Sequence, residues 1–332
     1  MKTLIVALPG EEKLATVLAE MLDAESQDLK VDRFPDGETR IRLTAPVWGR
    51  TVVLVGAVQP GESNPMPLYL AAATLRELGA RRVLLAAPYL AYMRQDQAFH
   101  PGEGVSARLF ARWVSSFVDG LVTVDPHLHR IHDLGEIYSI PTQVAAAAPA
   151  ISAWVATHIP DALLIGPDEE SRPWVEAVAH LCGRPALVLD KRRLGDREVQ
   201  LALPDLAPYR GLKPVLVDDI ISTGHTLMEA CAQLLAAGFA APVCIGVHAV
   251  FVGSAHADLL AAGAAQVISC NTLRHASNAI DVHPAIGRAL LELLDDPCLG
   301  AHSTGERLRY RHAAELAASG VDARQCLSLG DG

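Results

Sequence analysis

The sequence predicts an α/β protein of two similar domains, each with a mainly parallel β-sheet flanked by helices. Short runs rich in Val, Leu and Ile alternate with longer segments of helical periodicity, which is typical of parallel sheets. Residues 53–89 and 215–250 both begin with VLV, pass through a polar loop into an Ala/Leu-rich helix, and end in another apolar run. Any two βαβ units would share part of this pattern, so chance similarity is the alternative to a duplication.

The predicted strands are the short apolar runs bounded by turn residues. In the first half they are Thr3–Leu8, Lys30–Phe34, Thr51–Val55, Arg82–Ala86 and Gly120–Val124. In the second half they are Ala162–Ile165, Ala186–Leu189, Pro214–Val217, Val243–Val250 and Gln266–Ser269. Helical patterns fill the gaps, among them Met66–Leu78, Ser106–Phe117 and Thr226–Ala236. We expect an N-terminal domain at 1–146, a C-terminal domain at 147–295, and a C-terminal extension at 296–332 that contains a polar helical piece, Glu306–Ala318.

Composition narrows the class of partner. The 332 residues are 50% hydrophobic and 5% aromatic, and their formal net charge is −10. Because extended nucleic acid is bound by excess positive charge and stacking aromatic side chains, neither DNA nor RNA is an expected partner. The six cysteines form no CxxC pair, and the longest apolar stretch, 144–159, is interrupted by Pro149. We therefore expect reduced thiols, no membrane partner and a cytoplasmic location.

The most informative stretch is VLVDDIISTGHT, at residues 215–226. An apolar strand ends in two adjacent acids, Asp218 and Asp219, and a small polar loop then leads into a helix. Backbone N–H groups at a helix N-terminus, together with the helix dipole, favour a phosphate, and a glycine lets the backbone approach it closely. The two acids suit ribose hydroxyls or a hydrated magnesium ion. An ordinary strand–turn–helix junction with a capping Ser or Thr is the alternative interpretation.

This stretch resembles the phosphoribosyl pyrophosphate-binding motif of the type I phosphoribosyltransferase-like proteins. That family includes nucleobase phosphoribosyltransferases and ribose-phosphate pyrophosphokinases. Further blocks resemble the archaeal-type branch of the ribose-phosphate pyrophosphokinases, and they occur along the chain in the same order as in that family. They are RFPDGE at 33–38, PYLAYMRQD at 88–96, TVDPH at 123–127, GPD at 166–168 and DKRR at 190–193. The resemblance spans about residues 1–295 and implies two phosphoribosyltransferase-like domains.

The resemblance also implies roles for residues in these blocks. The nucleotide would be bound by Phe34, Asp36 and Glu38, reaching the adenine from a neighbouring subunit, and by Arg94, Gln95 and Asp96 beside its phosphates. Magnesium would lie near His127 and Asp168, and Lys191 and Arg193 would be the catalytic cations. Ribose 5-phosphate would be held by Asp218, Asp219, Ser222, Thr223, Gly224, His225 and Thr226.

The implied reaction transfers the pyrophosphoryl group of ATP to O1 of ribose 5-phosphate. Its expected cofactor is Mg²⁺, and the expected active unit is a homo-oligomer of at least two chains. Two departures from the family pattern bear on donor and phosphate binding. Gln97 and Ala98 stand where two basic residues are usual, and His225 stands where a small residue is usual.

Other functions remain as alternatives. A nucleobase phosphoribosyltransferase would use the same 218–226 loop, and an inactive regulatory homologue would account for the departures. The three neighbouring histidines, His127, His129 and His132, allow a zinc site, although closed zinc sites usually have cysteine ligands and other spacings. No GxGxxG follows a predicted strand and no Walker P-loop is present, which argues against an NAD-dependent dehydrogenase.

Overall fold

The computed structural model describes residues 2–57, 65–193, 199–202 and 206–300. Their strands form two six-stranded sheets, one in each half of the chain, and every strand pair within these sheets is parallel. The predicted fold class, two α/β domains with parallel sheets, is therefore confirmed. The predicted helix Glu306–Ala318 lies outside the described residues.

The first sheet has the strand order β2-β1-β5-β6-β7-β8, and a separate antiparallel hairpin pairs β3 with β4. The elements of this half are β1 (Leu4–Ala7), α1 (Glu12–Met21), β2 (Glu25–Asp28), β3 (Lys30–Arg33), β4 (Thr39–Arg42), β5 (Thr51–Val55), α2 (Met66–Glu77), β6 (Arg82–Ala87), α3 (Ser106–Ser115), β7 (Gly120–Val124), β8 (Thr142–Ala145) and α4 (Ala148–His158). The RFPDGE block forms the turn of the β3–β4 hairpin.

The second sheet has the order β10-β9-β13-β14-β15-β16, with the hairpin β11–β12 at the same point of the chain order. Its elements are β9 (Ala162–Gly166), α5 (Arg172–Cys182), β10 (Ala186–Val188), β11 (Asp190–Arg193), β12 (Val199–Ala202), β13 (Lys213–Ile221), α6 (His225–Ala236), β14 (Val243–Ala249), α7 (Ala255–Ala261), β15 (Gln266–Cys270), β16 (Asn278–Ile280) and α8 (His283–Asp295). Each strand of one sheet thus has a counterpart in the other, which supports the duplication.

The last helix of each half packs on the other half. Helix α4 follows the first sheet but lies against α5 and β16, whereas α8 follows the second sheet but lies against α1, β7 and β8. One continuous apolar core contains these four helices and one face of each sheet, with Val155 of α4 and Leu290 of α8 fully buried in it. The other face of the first sheet is covered by α2 and α3, and that of the second by α6 and α7.

The central strands are buried on both faces, as parallel strands between helical layers must be. For example, the burial of β5, β7 and β9 is almost continuous along each strand. Loops at the carboxyl ends of such strands are where α/β proteins place their ligands. Within the described ranges, no helix combines the length and apolar character needed to cross a membrane.

Candidate active site

A cavity of about 250 Å³ opens at the carboxyl end of β13, where loops of both halves meet. The second half contributes the acids after β9, the acids near the end of β13 and the loop after β13, and the first half contributes the segments that follow β6 and β7. The lining side chains are Arg94, His127, His129, Asp168, Glu170 and the continuous stretch 218–227.

The loop between β13 and α6 has the geometry of an anion site. Gly224 adopts a φ of +73°, and helix α6 begins at the next residue, His225. A Cβ at Gly224 would lie 3.1 Å from Leu259 Cδ1, so both the backbone conformation and the close packing favour glycine. The Arg94 guanidinium donates a hydrogen bond to Ser222 Oγ at 3.2 Å. The loop therefore presents helix N–H groups, hydroxyls and one cation to the same space.

The adjacent acids Asp218 and Asp219 differ in their electrostatic environment. Burial acts to raise the pKa of Asp219, but the hydrogen bond and charge of His127 outweigh burial and hold that pKa below its usual value. Burial, followed by the nearby charges of Asp219 and Asp168, raises the pKa of Asp218 well above its usual value. Asp218 therefore favours its protonated form in this cavity, and a bound cation would stabilise its carboxylate form instead.

Two histidines continue the hydrogen-bonded chain from Asp219. His127 Nδ1 lies 2.6 Å from Asp219 Oδ2, and His127 Nε2 lies 2.6 Å from His129 Nε2. If His127 Nδ1–H donates to the carboxylate, its Nε2 accepts from the N–H of His129. His129 Nε2 also lies 3.7 Å from Glu170 Oε2. Both ring nitrogens of His127 are thus occupied in this conformation.

A buried histidine connects the two halves behind the cavity. His248, on β14, is 1% exposed, and burial lowers its pKa to about 4, so the imidazole is neutral at neutral pH. Its Nε2–H donates to the main-chain oxygen of Asp125 at 3.1 Å, and the Thr272 hydroxyl lies 2.9 Å from Nδ1. Asp125 has a φ of +27°, which is uncommon for a residue with a side chain. These contacts fix the backbone two residues before His127.

The site prediction and the structure overlap in the lining of this cavity. Among the predicted residues, those that line it are Arg94, His127, Asp168, Asp218, Asp219, Ser222, Thr223, Gly224, His225 and Thr226. Sequence reasoning did not single out Glu170 or His248, and it named His129 only as a ligand of the alternative zinc site. Their only signal in the sequence was nearness to a motif or a place on a buried strand.

Other predicted nucleotide-binding residues do not line the cavity. Asp96 is buried and its carboxylate accepts hydrogen bonds from the backbone N–H and the guanidinium of Arg130, each at 3.0 Å. The Gln95 amide lies 3.4 Å from the Glu103 carboxylate.

The β3–β4 turn also lies outside the cavity lining. Phe34 N–H donates to the main-chain oxygen of Glu38 at 2.9 Å, and Glu38 N–H donates to Asp36 Oδ1 at 3.1 Å. The Phe34 ring is 45% exposed, with the Arg40 guanidinium 5.5 Å from its centre. Lys191 and Arg193 lie on β11, whose backbone pairs antiparallel with β12.

Comparisons with known proteins decide the family. A family model described as the N-terminal domain of ribose phosphate pyrophosphokinase matches residues 3–117, and a phosphoribosyl transferase domain model matches residues 133–285. A ribose-phosphate pyrophosphokinase of Methanopyrus kandleri is 35% identical, over 87% of this chain and 99% of the relative. The chain belongs to the ribose-phosphate pyrophosphokinase family.

Further members of the ribose-phosphate pyrophosphokinase family agree. The pyrophosphokinase of Methanothermobacter thermautotrophicus is 32% identical, over 85% of this chain and 98% of the relative. The crystal structure of phosphoribosylpyrophosphate synthetase from Mycobacterium smegmatis superposes with a TM-score of 0.76 at 24% identity, covering 88% of this chain and 99% of that one, which shows a common fold. The archaeal relatives and the N-terminal family match favour the pyrophosphokinase over the nucleobase transferase alternative.

Proposed function

We propose that this chain transfers the β,γ-pyrophosphoryl group of ATP to the 1-hydroxyl of ribose 5-phosphate, giving phosphoribosyl pyrophosphate and AMP. The observation that supports this most is the convergence of a phosphate loop, an acidic pair and Arg94 of the other half in one cavity. Such transfers depend on positioning and charge stabilisation more than on covalent chemistry by the protein. A cavity with these groups, on a chain of this family, suits that requirement.

Ribose 5-phosphate is proposed to bind with its phosphate at the N-terminus of α6. The loop from Ser222 to Thr226 would hold that phosphate through backbone N–H groups and hydroxyls, as the φ of Gly224 permits. Asp218 and Asp219 stand at the end of β13, on the strand side of the same loop, where carboxylates can accept hydrogen bonds from ribose hydroxyls. The imidazole of His225, the first residue of α6, adds a donor near the phosphate.

Magnesium is proposed as the cofactor, with Asp168 and His127 beside it. The residues fit a hard cation, because three carboxyl groups, those of Asp168, Asp218 and Asp219, line the cavity. Burial is the largest cause of the raised pKa of Asp218, and the charges of Asp219 and Asp168 add to it. Within the described ranges, no three His, Cys, Asp or Glu side chains already converge as a complete metal site. Magnesium keeps several water ligands and is shared with substrate phosphates, so its site requires few protein ligands. Bound magnesium would neutralise charge on those phosphates.

The magnesium assignment is testable by thermal unfolding. We expect added magnesium to raise the melting temperature of the wild-type chain and to do so much less in Asp218→Asn, which retains the shape but loses the charge. Without magnesium the variant is expected to be the more stable of the two, because a buried and repelled carboxylate has been removed. Equal magnesium-induced shifts in both proteins would refute a cation site at Asp218.

Lys191 and Arg193 are proposed to stabilise the transferring group. They lie on β11, in the β11–β12 hairpin. In the order of the chain, this hairpin comes after β10 and before β13, the strand that carries Asp218 and Asp219. A hairpin of two strands outside the main sheet can change position more readily than a central strand can. We propose that it closes over the bound substrates.

A phosphorus NMR assay of the full chain with magnesium, ATP and ribose 5-phosphate tests the reaction. We expect AMP and phosphoribosyl pyrophosphate in equal amounts, and only when both substrates are present. Thr223→Ala, which removes one hydroxyl of the phosphate loop, should raise the KM for ribose 5-phosphate more than that for ATP. Intact substrate binding without turnover would instead favour the inactive regulatory homologue.

A second copy of the chain is proposed to complete the adenine site. The basis is that Phe34, Asp36 and Glu38 belong to a hairpin turn that does not line the cavity of its own chain. Sedimentation at assay concentration should then show at least a dimer. A fully active monomer would exclude this part of the proposal. The proposed location of the protein is the cytoplasm.

A further inference from the structure

A second cavity, larger than the first, lies where the β1–α1 loop meets the segment after β15. Its volume is about 390 Å³, within the usual range for small-molecule sites. It is lined by residues 10–14 of the first half and by Asn271, Thr272, Arg274 and 278–281 with His283 of the second half. None of these residues lines the substrate cavity.

The duplication makes this cavity the counterpart of the substrate cavity. Strand β1 corresponds to β9 and β15 corresponds to β7, and the loop sequence PGEEK at 9–13 aligns with PDEES at 167–171. The segments after β7 and β15 are also anchored alike. Asp125 Oδ2 accepts the N–H of Ala147 at 2.9 Å, and Asn271 Oδ1 accepts the N–H of Val282 at 2.9 Å, each just before the exchanged helix.

The second cavity has different chemistry from the first. Gly56 and Ala57 follow the VLV of β5, where Asp218 and Asp219 follow the VLV of β13. The paired carboxylates proposed to bind ribose hydroxyls and magnesium are therefore absent from the equivalent place. Two basic residues are present instead. Lys13, in the segment after β1, is equivalent to Ser171 in the segment after β9. Arg274, four residues after the end of β15, is equivalent to Leu128, four residues after the end of β7.

The cavity acids already accept hydrogen bonds. Glu12 Oε1 accepts the N–H of Gly10 at 2.8 Å, and Asp281 Oδ1 accepts the Asn271 amide at 2.7 Å and the N–H of His283 at 3.0 Å. Burial, with the charge of Glu12 second, raises the pKa of Glu11 to about 7. Glu11 is consequently partly protonated near neutral pH, whereas the hydrogen bond from Gly10 lowers the pKa of Glu12, which remains a carboxylate.

The basic side chains provide the unused hydrogen-bonding capacity. Lys13 and Arg274 are exposed, and neither forms an ion pair or a side-chain hydrogen bond with another described residue. Their electrostatic effects reach across the cavity, since the Lys13 charge bears on His283 and the Arg274 charge bears on Glu12. Ammonium and guanidinium groups offer only donors, so the complementary ligand is rich in acceptors.

We propose that this second cavity binds the phosphate group of a small phosphorylated compound between Lys13 and Arg274. It is a site separate from the substrate cavity and lies at the junction of the two halves. The guanidinium can bind two phosphate oxygens at once, and the ammonium supplies a second charge. The volume leaves room for more than a free phosphate ion.

Equilibrium dialysis of the full chain with radiolabelled inorganic phosphate tests the site without requiring turnover. The double variant Lys13→Gln/Arg274→Gln should bind one equivalent of phosphate fewer per chain than the wild type. Thr223→Ala, altered only in the substrate loop, should retain that equivalent. Displacement of the retained phosphate by AMP would identify a nucleotide-sized occupant, whereas its persistence would identify the phosphate ion itself.

Arg210→Gln/Lys213→Gln is the matched control, because it also removes one arginine and one lysine, at and just before the start of β13, and neither residue lines either cavity. It should bind as much phosphate as the wild type. Melting temperatures of both double variants should remain near that of the wild type, since the four side chains are exposed. Equal phosphate binding by the wild type and the Lys13/Arg274 variant would overturn the proposal.

Discussion

Asp218 and Asp219 show how far neighbouring residues can diverge when a strand directs them to different partners. Asp219 is 5% exposed and bonded to His127, which lowers its pKa, whereas burial and nearby acids raise that of Asp218. Asp219 is thus held as a carboxylate, whereas Asp218 favours its protonated form where no cation is bound beside it. Residue type and spacing predicted the pair, but the difference depends on His127, which lies 92 residues earlier in the chain.

Replacement of Lys191 tests the proposed role of the β11–β12 hairpin. We expect Lys191→Ala to reduce kcat by at least about a hundredfold, because removing one well-placed charge-stabilising donor costs about 3 kcal/mol in the transition state. The melting temperature should change little. Steady-state kinetics and thermal unfolding measure the two effects, and near-normal turnover would exclude the catalytic role.

Replacement of Glu11 tests the effect of its burial on stability. Its pKa is raised from 4.5 to about 7, so the folded state retains the proton to higher pH than the unfolded chain. The free energy of unfolding should therefore fall as pH rises through this window. Glu11→Gln should remove that loss and be more stable than the wild type by about 1–3 kcal/mol at about pH 8, with little difference at about pH 4. Urea unfolding at the two pH values measures this; an equal difference at both would contradict it.

Several residues that the family resemblance singled out line the first cavity, but the resemblance did not specify how they contact one another. Arg94, His127 and Asp168 belong to separate blocks, yet all line the cavity with the 218–226 loop. The sequence contained no comparable signal for the contact between His127 and His129 or for the buried bond from His248 to Asp125. These are long-range or orientation-dependent contacts, which residue order does not specify.

At the scale of elements, apolar runs predicted the central strands well and the edge strands poorly. Strands β5 and β7 have the predicted bounds, and β13 continues to Ile221, beyond its predicted end at Val217. The short strands β2, β4, β8, β11, β12 and β16 were not predicted. The edge strands β2, β8 and β16, with the sequences ESQD, TQVA and NAI, and the hairpin strand β4, TRIR, lack a long apolar run because such strands bury less of their surface.

Strand β14 supports the loop at residues 222–226 through a glycine. Gly246 lies opposite Asp218 in the β13–β14 ladder, and a Cβ there would lie 2.6 Å from Ile221 Cγ1. Gly246→Ala should displace Ile221 and the loop after it, costing about 1–3 kcal/mol and raising the KM for ribose 5-phosphate. Denaturant unfolding and steady-state kinetics measure both effects.

Gly238→Ala is the matched control, because a Cβ at Gly238 meets no atom within 4 Å. Its φ of +83° makes it strained as well, so it should lose stability without a change in this KM. A normal KM in Gly246→Ala would show that the loop does not depend on this contact.

At the scale of the whole molecule, four helices form a layer shared by the two sheets. Helix α8 lies against the first sheet although it comes from the end of the second half, and α4 makes the reciprocal contact. A domain boundary at residue 146 separates the sheets but also leaves each half without the helix that covers it. Periodicity identified helical segments, but it contains no information about which sheet a helix will cover.

This exchange predicts cooperative unfolding. A fragment of residues 1–146 lacks α8 and would expose the apolar surface that Leu290 and Leu293 cover. We expect that fragment to be unfolded or aggregated, while the full chain unfolds in one calorimetric transition with matching calorimetric and van't Hoff enthalpies. Circular dichroism of the fragment and scanning calorimetry of the chain measure this. Two separate transitions would show that the halves are independently stable.

The reciprocal placement of α4 and α8 is what end-to-end joining of a domain-swapped homodimer would produce. In such a dimer, each copy lends its last helix to the other, and assembly depends on concentration. Within one chain, the connection instead keeps the two halves at a fixed effective concentration, whatever the dilution. Once joined in this way, the halves could accumulate different substitutions at equivalent sites, such as paired aspartates after β13 and Gly56–Ala57 after β5, without losing their common scaffold.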